Sequence, residues 1–129
     1  MSRERFELAR SQFEKALSRL RDALAQEETE LVRDALIQRF EFTYELGWKC
    51  MFYWLRTQKE KVPEVVRQVL QAAFRAELIT DAELWERIKD YRDETSHTYD
   101  EKKAVEVAAF VRSQAVQGFE ALLAKLATL

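Results

Sequence analysis

The chain contains a single histidine, His97, in the segment YRDETSHTYDE, and an arginine, Arg92, five residues before it. Arginine is a permanent cation whose planar fork suits phosphate, and histidine can accept or release a proton near neutral pH. In a straight helix, five residues turn two side chains about 140° apart, so the pair can converge only where a helix ends. The apolar pattern stops at Tyr91, and Thr95 and Ser96 are poor residues for a helix interior. We therefore expect Arg92 in the last turn of a helix and His97 in the junction that follows.

The same residues also have ordinary structural interpretations. A histidine near a helix start is often a surface or capping residue, and an arginine in a last turn complements the helix dipole. A group of four carboxylates in this segment could hold a divalent cation. Acidic residues at a helix start are the commoner explanation, so we predict no metal site and no cofactor. The four residues are Asp93, Glu94, Asp100 and Glu101.

Aromatic residues are concentrated in the segment before position 55. Three of them could stack on nucleic-acid bases, although aromatic residues at helical spacing more often form a core or a dimer seam. These three are Trp48, Tyr53 and Trp54. Cys50 is expected to be a small core residue.

Three charged residues in the same segment follow an i, i+4 ladder: Glu41, Glu45 and Lys49. Such a ladder is typical of a solvated helix surface, where neighbouring charges support the helix. The spacing predicts no chemical role for these three side chains.

Two long helices are predicted in the first half of the chain. Large apolar residues repeat every seven positions over about residues 3–26, which predicts one apolar helix face. Thr29 suits the N-cap of a second helix that runs to about Gln58. Gly47 costs this helix about 1 kcal/mol relative to alanine, so we expect a neighbouring element to approach its backbone there.

Shorter elements follow. Pro63 suits the first turn of a third helix, Thr80 with Glu83 forms a capping box for a fourth, and Asp100 is expected to cap the last. No repeat or interdomain linker interrupts the chain, so we predict one helical domain over residues 1–129. The expected architecture is an all-α antiparallel bundle of about five helices, with a four-helix up-and-down core and one short helix.

Composition independently favours a helical fold. Of 129 residues, 47% are hydrophobic and 34% are charged, with only 2 glycines and 1 proline. That scarcity of turn residues excludes a collagen-like or disordered chain and argues against a β-sandwich. The net charge of −2 predicts no general attraction to nucleic acid or to an anionic membrane, so any RNA chemistry would depend on a local site.

The sequence also suggests a compartment. One cysteine cannot form an intrachain disulfide or a cysteine zinc cage, which fits a reducing environment. The first residues, MSRERFELAR, contain no apolar signal core, and no stretch approaches the roughly 20 apolar residues of a membrane span. We expect a cytoplasmic protein that does not enter the membrane.

Two segments carry a resemblance to a known superfamily. Residues 39–49, RFEFTYELGWK, and residues 90–101, DYRDETSHTYDE, resemble the HEPN superfamily, in particular its small members known as nucleotidyltransferase substrate-binding proteins. The likeness covers essentially the whole chain, including the stretch PEVVRQVLQAAFRAELITDAELW. The HEPN signature is an arginine, a polar residue, three further residues and a histidine, which Arg92 to His97 match. An extended form adds a tyrosine two positions later, where this chain has Tyr99.

The resemblance implies a helical bundle that dimerises and brings two Arg/His motifs together. It implies the toxin of a toxin–antitoxin pair, a metal-independent endoribonuclease in which Arg92 and His97 are catalytic and Asp93 and Ser96 support the motif. The implied partners are a second copy of the chain, an RNA substrate and a minimal nucleotidyltransferase (MNT) antitoxin. In related systems that antitoxin transfers AMP to the motif tyrosine, which is Tyr99 here, and silences the toxin.

Three functional interpretations stay open at this point. The chain is a ribonuclease toxin, a non-catalytic adaptor that presents substrate to a nucleotidyltransferase, or a helical interaction module in which Arg92 and His97 are structural. The intact motif favours the first over the third. Against the first, Asp93 and Glu94 place negative charge beside the proposed phosphate site.

Overall fold

The computed structural model describes residues 2–129, and every regular element in that range is helical. A one-turn 3₁₀ helix follows the fourth helix, and a π-helical turn joins the last two helices into one continuous rod. The predicted all-α bundle of five helices is therefore confirmed. The elements are α1 (Ser2–Leu24), α2 (Glu30–Thr57), α3 (Val66–Arg75), α4 (Ala82–Glu94), the 3₁₀ helix (Thr95–His97), α5 (Glu101–Phe110), the π turn (Val111–Ala115) and α6 (Val116–Leu126).

Helix α1 packs antiparallel to both α2 and the α5–α6 rod. At one end Arg10 Nη1 donates to the carbonyl of Leu126 at 3.1 Å, and at the other Arg112 Nη1 donates to the carbonyl of Leu24 at 3.0 Å. In the direction in which residue numbers increase along α1, they decrease along the rod. Two contacts show that α1 and α2 are also antiparallel: Arg39 Nη1 donates to the Arg19 carbonyl at 2.7 Å, and Gly47, further along α2, lies against Phe13, which is earlier in α1.

Helix α4 runs antiparallel to the α5–α6 rod. The Tyr91 ring near the end of α4 stacks on Phe110 with centroids 4.0 Å apart, and Leu84 near its start lies against Gly118. The four long elements therefore alternate in direction, as expected for an up-and-down bundle. The short helix α3 packs on α2 and α4.

The core is centred on the ring of Phe119, which is fully buried. Phe13 of α1 meets it edge-on with centroids 6.2 Å apart, Phe40 of α2 lies at 6.0 Å, and Trp85 of α4 lies at 5.7 Å. Aromatic pairs at such separations add to the stabilisation from burying their area. One side chain of the rod thus contacts a ring from each of the other three long helices.

Both glycines lie where another helix comes close. A Cβ added to Gly47 would be 3.1 Å from a ring carbon of Phe13, and one added to Gly118 would be 3.1 Å from both Ile88 and Leu84. The expected close approach at Gly47 is confirmed. Gly118 has the same role against α4, because it lets the rod and α4 pack without an intervening side chain.

The structure confirms two of the predicted helix starts. Thr29 caps α2, where its hydroxyl accepts a hydrogen bond from the Val32 amide at 3.1 Å. Asp100 caps α5, where its carboxylate accepts from the Lys102 amide at 3.0 Å.

Two other predicted starts are wrong. Pro63 lies outside the third helix, because the backbone of Val65 is extended and its N–H donates to the Pro63 carbonyl at 2.8 Å. The cap of α4 is Asp81 and not Thr80: the Asp81 carboxylate accepts from the Leu84 amide at 3.0 Å. A charged acceptor is favoured over a hydroxyl at the positive end of a helix.

Among residues 2–129, no helix is both long and apolar enough to cross a lipid bilayer.

The contact at Gly47 predicts the effect of adding one methyl group. We expect Gly47→Ala to lower the free energy of unfolding by about 1 kcal/mol, since strain against the buried Phe13 ring outweighs the gain in helix propensity. Urea unfolding followed by circular dichroism measures the change. Gln38→Ala, on the exposed face of the same helix, is the control and should change stability by less than about 0.5 kcal/mol. A more stable Gly47→Ala variant would contradict this packing argument.

Candidate functional site

The predicted helix end between Arg92 and His97 is present. Helix α4 ends at Glu94, and the chain continues through the 3₁₀ turn Thr95–His97 before Asp100 caps α5. A helix end exposes carbonyl groups that need hydrogen-bond donors. The junction supplies them locally, because three hydroxyl side chains each donate to the carbonyl three residues earlier. These bonds are Thr95 to Arg92 at 2.6 Å, Ser96 to Asp93 at 3.1 Å and Thr98 to Thr95 at 2.9 Å.

Arg92 points from α4 towards α2. Its Nη1 donates to the Thr95 hydroxyl at 3.0 Å, so Thr95 bonds both the side chain and the main chain of Arg92. Its Nη2 lies 3.7 Å from a carboxylate oxygen of Glu41, and its Nε lies 3.7 Å from one of Glu45. The guanidinium is half-buried, and two carboxylates face it from one helix.

Glu41 and Glu45 are thus members of the site that sequence reasoning missed. Their i, i+4 spacing predicts that both lie on one helix face, and such spacing is typical of a solvent-exposed surface whose charges stabilise the helix. The structure packs that face of α2 against the last turn of α4, so both side chains are only partly exposed. Spacing does show that two acids share a face, but only the packing of α2 on α4 shows which cation they meet.

His97 ends the 3₁₀ turn and is exposed. Its ring is 6.3 Å from that of Tyr99, with the two planes 69° apart. Tyr99 is 87% exposed, so its hydroxyl is accessible to another molecule. Among residues 2–129, no hydrogen bond or ion pair joins Arg92 to His97. The structure therefore brings the two residues to one helix end without a hydrogen bond between them.

The four carboxylates of this segment each have a separate partner. The Asp93 carboxylate accepts from Lys89 at 3.2 Å, and that of Glu94 lies 3.5 Å from Lys103 Nζ. The Asp100 carboxylate caps α5, and that of Glu101 lies 3.9 Å from Arg33. Ser96 is exposed and bonds the Asp93 carbonyl, so the two motif-supporting positions are linked to each other.

Burial keeps two side chains of α2 neutral. The side chain of Tyr44, on α2, is almost fully buried. Burial and then the negative charges of Glu45 and Asp93 raise the pKa of its phenol. The phenol therefore stays protonated near neutral pH and cannot act as a base. Burial also raises the pKa of the Cys50 thiol to about 12, which agrees with a core role and not a reactive one.

The aromatic residues of α2 are mainly packing groups. Trp48 is buried, and its indole N–H donates to the second carboxylate oxygen of Glu45 at 3.2 Å. Trp54 is half-buried against the core, and Tyr53 meets the Phe52 ring at 5.4 Å. Trp48 therefore helps to hold Glu45 in place and does not present a face for base stacking.

Comparison with known proteins places the chain in a family. The family model described as nucleotidyltransferase substrate binding protein like matches residues 5–128. The chain belongs to this family. The resemblance of its sequence to the small HEPN proteins that pair with a nucleotidyltransferase is thereby confirmed.

One curated relative of this family member carries a name that indicates an activity. It is the probable ribonuclease HepT of Haemophilus influenzae, which is 38% identical over 87 residues. The matched segment covers 61% of this chain and 60% of the length of that relative.

Two solved structures share the fold. A Thermus thermophilus protein superposes with a TM-score of 0.80 at 32% identity, over 88% of this chain and 98% of that one. A Haemophilus influenzae protein, described as having the fold of a substrate binding domain of a nucleotidyltransferase, superposes with a TM-score of 0.70 at 27% identity, over 95% and 96% of the two chains.

The buried hydroxyl of Thr95 predicts a measurable contribution to stability in this family member. Thr95→Val keeps the side-chain volume but leaves Arg92 Nη1 without its acceptor, so we expect a loss of about 1–2 kcal/mol in the free energy of unfolding. Ser96→Ala removes an exposed hydroxyl from the same turn and should cost less than about 0.5 kcal/mol. Urea unfolding of both variants makes the comparison, and equal losses would contradict a special role for Thr95.

Proposed function

We propose that this chain is a HEPN toxin and a metal-independent endoribonuclease, with Arg92 and His97 as its catalytic residues. The observation that carries the proposal is the position of the complete Arg-x4-His motif at one helix end, where a 3₁₀ turn lies between the Arg92 guanidinium and the exposed imidazole of His97. The similarity to a probable ribonuclease supports the same reaction class.

The proposed chemistry is attack of a ribose 2′-hydroxyl on the adjacent phosphorus. A base removes the 2′-hydroxyl proton as the O2′–P bond forms, and an acid donates a proton to the 5′-oxygen as the P–O5′ bond breaks. The product is a 2′,3′-cyclic phosphate and a free 5′-hydroxyl. Arg92 would stabilise the charge on the pentavalent phosphate.

One chain supplies only part of this machinery. It has one histidine, which cannot act as base and acid in the same step, and among residues 2–129 no hydrogen bond links Arg92 to that histidine. A two-fold dimer would supply a second His97 and a second Arg92 from an identical surface. We therefore propose that the active site forms across a homodimer interface, with Asp93 and Ser96 holding the turn that carries the motif.

The first functional prediction concerns cleavage itself. We expect His97→Ala to reduce RNA cleavage by about 10²–10⁴-fold and Arg92→Ala by about 10²–10³-fold, without effect from EDTA on the wild type. Cleavage of an end-labelled RNA pool measures the rates, and mass spectrometry should find 2′,3′-cyclic phosphate ends. Arg87→Ala, an exposed arginine on α4, is the matched control. Undiminished activity in His97→Ala would refute the assignment.

The shared site is tested by mixing subunits. When the wild type is mixed with an excess of an Arg92→Ala/His97→Ala double variant, most wild-type chains form heterodimers that have only one histidine and one arginine at the interface. We expect the cleavage rate per wild-type chain to fall as the double variant is added, because the second histidine is lost. Full activity per chain in a demonstrably monomeric preparation would refute the shared site.

Regulation of the toxin is proposed to act at Tyr99. In this proposal the MNT antitoxin uses ATP. The Tyr99 hydroxyl loses its proton to solvent as its oxygen attacks the α-phosphorus and an O–P bond forms. The bond from the α-phosphorus to the oxygen that bridges to the β-phosphate breaks, and pyrophosphate leaves with that electron pair. A neutral phenol is a weak nucleophile, so we propose that the metal site of the antitoxin activates it. The attached phosphodiester would compete for Arg92, and the added base would obstruct the RNA.

Intact-mass measurement tests this modification. Incubation with a partner nucleotidyltransferase, ATP and Mg²⁺ should add multiples of one AMP unit to the wild type and nothing to Tyr99→Phe, while Tyr53→Phe should be labelled normally. Modified protein should lose its ribonuclease activity. Equal labelling of Tyr99→Phe would place the modification elsewhere, and labelling without loss of activity would refute the switch.

A second candidate function is a non-catalytic adaptor that presents substrate to a nucleotidyltransferase. It is favoured by the description of the Haemophilus influenzae structure and by the two carboxylates that oppose Arg92. The two functions differ in a growth assay: induction of the wild type alone should arrest growth if the chain is a toxin, and His97→Ala should not. An adaptor would be harmless in both forms.

A further inference from the structure

The Arg92 guanidinium has two edges with different surroundings. Nη1 is occupied by its hydrogen bond to the buried Thr95 hydroxyl. The other edge, formed by Nε and Nη2, faces Glu45 and Glu41, each with an oxygen at 3.7 Å. Both distances exceed a charge-assisted hydrogen bond, and Nε is buried without any hydrogen-bond partner among the described residues. The carboxylates therefore act on this edge by charge and not by closed hydrogen bonds.

The Nε–Nη2 edge is also the edge that a phosphate needs. Arginine binds phosphate most specifically through two parallel N–H groups. One N–H of Nη1 is used by Thr95, and the edge without a closed hydrogen bond among the described residues is the one formed by Nε and Nη2. A phosphate and the two carboxylates thus compete for the same donors.

From this geometry we propose that Glu41 and Glu45 guard Arg92, holding its guanidinium against α2 and keeping phosphate away until RNA displaces them. The inference rests on the proposed ribonuclease function and adds a regulatory role for two residues of α2. Glu41 and Glu45 are positioning residues in this proposal, because they act through Arg92.

Charge balance supports the guard. One guanidinium faces two carboxylates, so an approaching phosphate meets a net negative group. Lys89 and Lys103 do not offset this charge, since they pair with Asp93 and Glu94. Two unit charges about 4 Å apart interact by about 1 kcal/mol even in water, which corresponds to about fivefold in an equilibrium constant.

The guard predicts that phosphate binds more tightly when the carboxylates are removed. Glu41→Gln and Glu45→Gln keep the side-chain shape, and the latter keeps an oxygen for the Trp48 indole N–H. Titration with inorganic phosphate, followed at the Arg92 Nε–H signal by NMR, should show about threefold tighter binding for each variant and about tenfold for the double variant. Glu120→Gln, which loses a carboxylate paired with Arg21 far from the motif, should match the wild type.

RNA measurements distinguish two roles for Glu41 and Glu45: keeping phosphate away from Arg92, or holding Arg92 in its working orientation. With an uncleavable 2′-O-methyl RNA, the double variant should bind about tenfold more tightly by fluorescence anisotropy, and the gain should vanish when Arg92→Gln is added. With cleavable RNA, KM should fall while kcat does not rise. If the carboxylates instead hold Arg92 in its working orientation, KM would rise and the guard would be refuted.

The outcome for the guard is distinct from that for the proposed function. Tighter phosphate binding in the double variant, without RNA cleavage by the wild type, would support the guard and refute the ribonuclease. Cleavage that depends on His97, with phosphate affinity unchanged in the double variant, would support the ribonuclease and refute the guard.

Discussion

Four aromatic rings meet at the centre of the bundle, and the rest of the structure depends on that contact. Phe119 touches a ring from α1, α2 and α4, so it sets the distance between the helix that carries Glu41 and the helix that carries Arg92. The two glycines allow the same packing, because each admits a neighbouring helix without an intervening side chain. The electrostatic environment of Arg92 is thus a consequence of how the core closes.

The candidate site combines a packed arginine with an exposed histidine and an exposed tyrosine. Arg92 lies on the last turn of α4, where Thr95 fixes one edge of its guanidinium and α2 faces the other. His97 and Tyr99 lie beyond the helix end and are exposed. Such an arrangement suits a site that is completed by another molecule. The Arg92 guanidinium is held between Thr95 and α2, while the His97 imidazole and the Tyr99 phenol are exposed to a partner.

Much of the fold was predictable because local physical chemistry determines it. The apolar repeat and the caps at Thr29 and Asp100 depend on residues near one another in sequence. The low helix propensity of Gly47 predicts a close neighbour, and only the packing shows that it is Phe13. The wrong starts at Pro63 and Thr80 show the limit of this reasoning. Helix α4 begins after Asp81, whose carboxylate caps it, and α3 begins after Val65, whose backbone is extended and whose side chain makes no cap hydrogen bond.

By itself, the sequence determined the helical class, the break after α4 and the types of the residues that flank it, because helix propensity and capping act over a few residues. Only the tertiary structure decided what those residues face. Glu41 and Glu45 are about fifty positions from Arg92, and their spacing is equally compatible with a solvated surface. Their meeting with Arg92 required α2 to pack against α4, which depends on the fit of buried rings contributed by four separate helices.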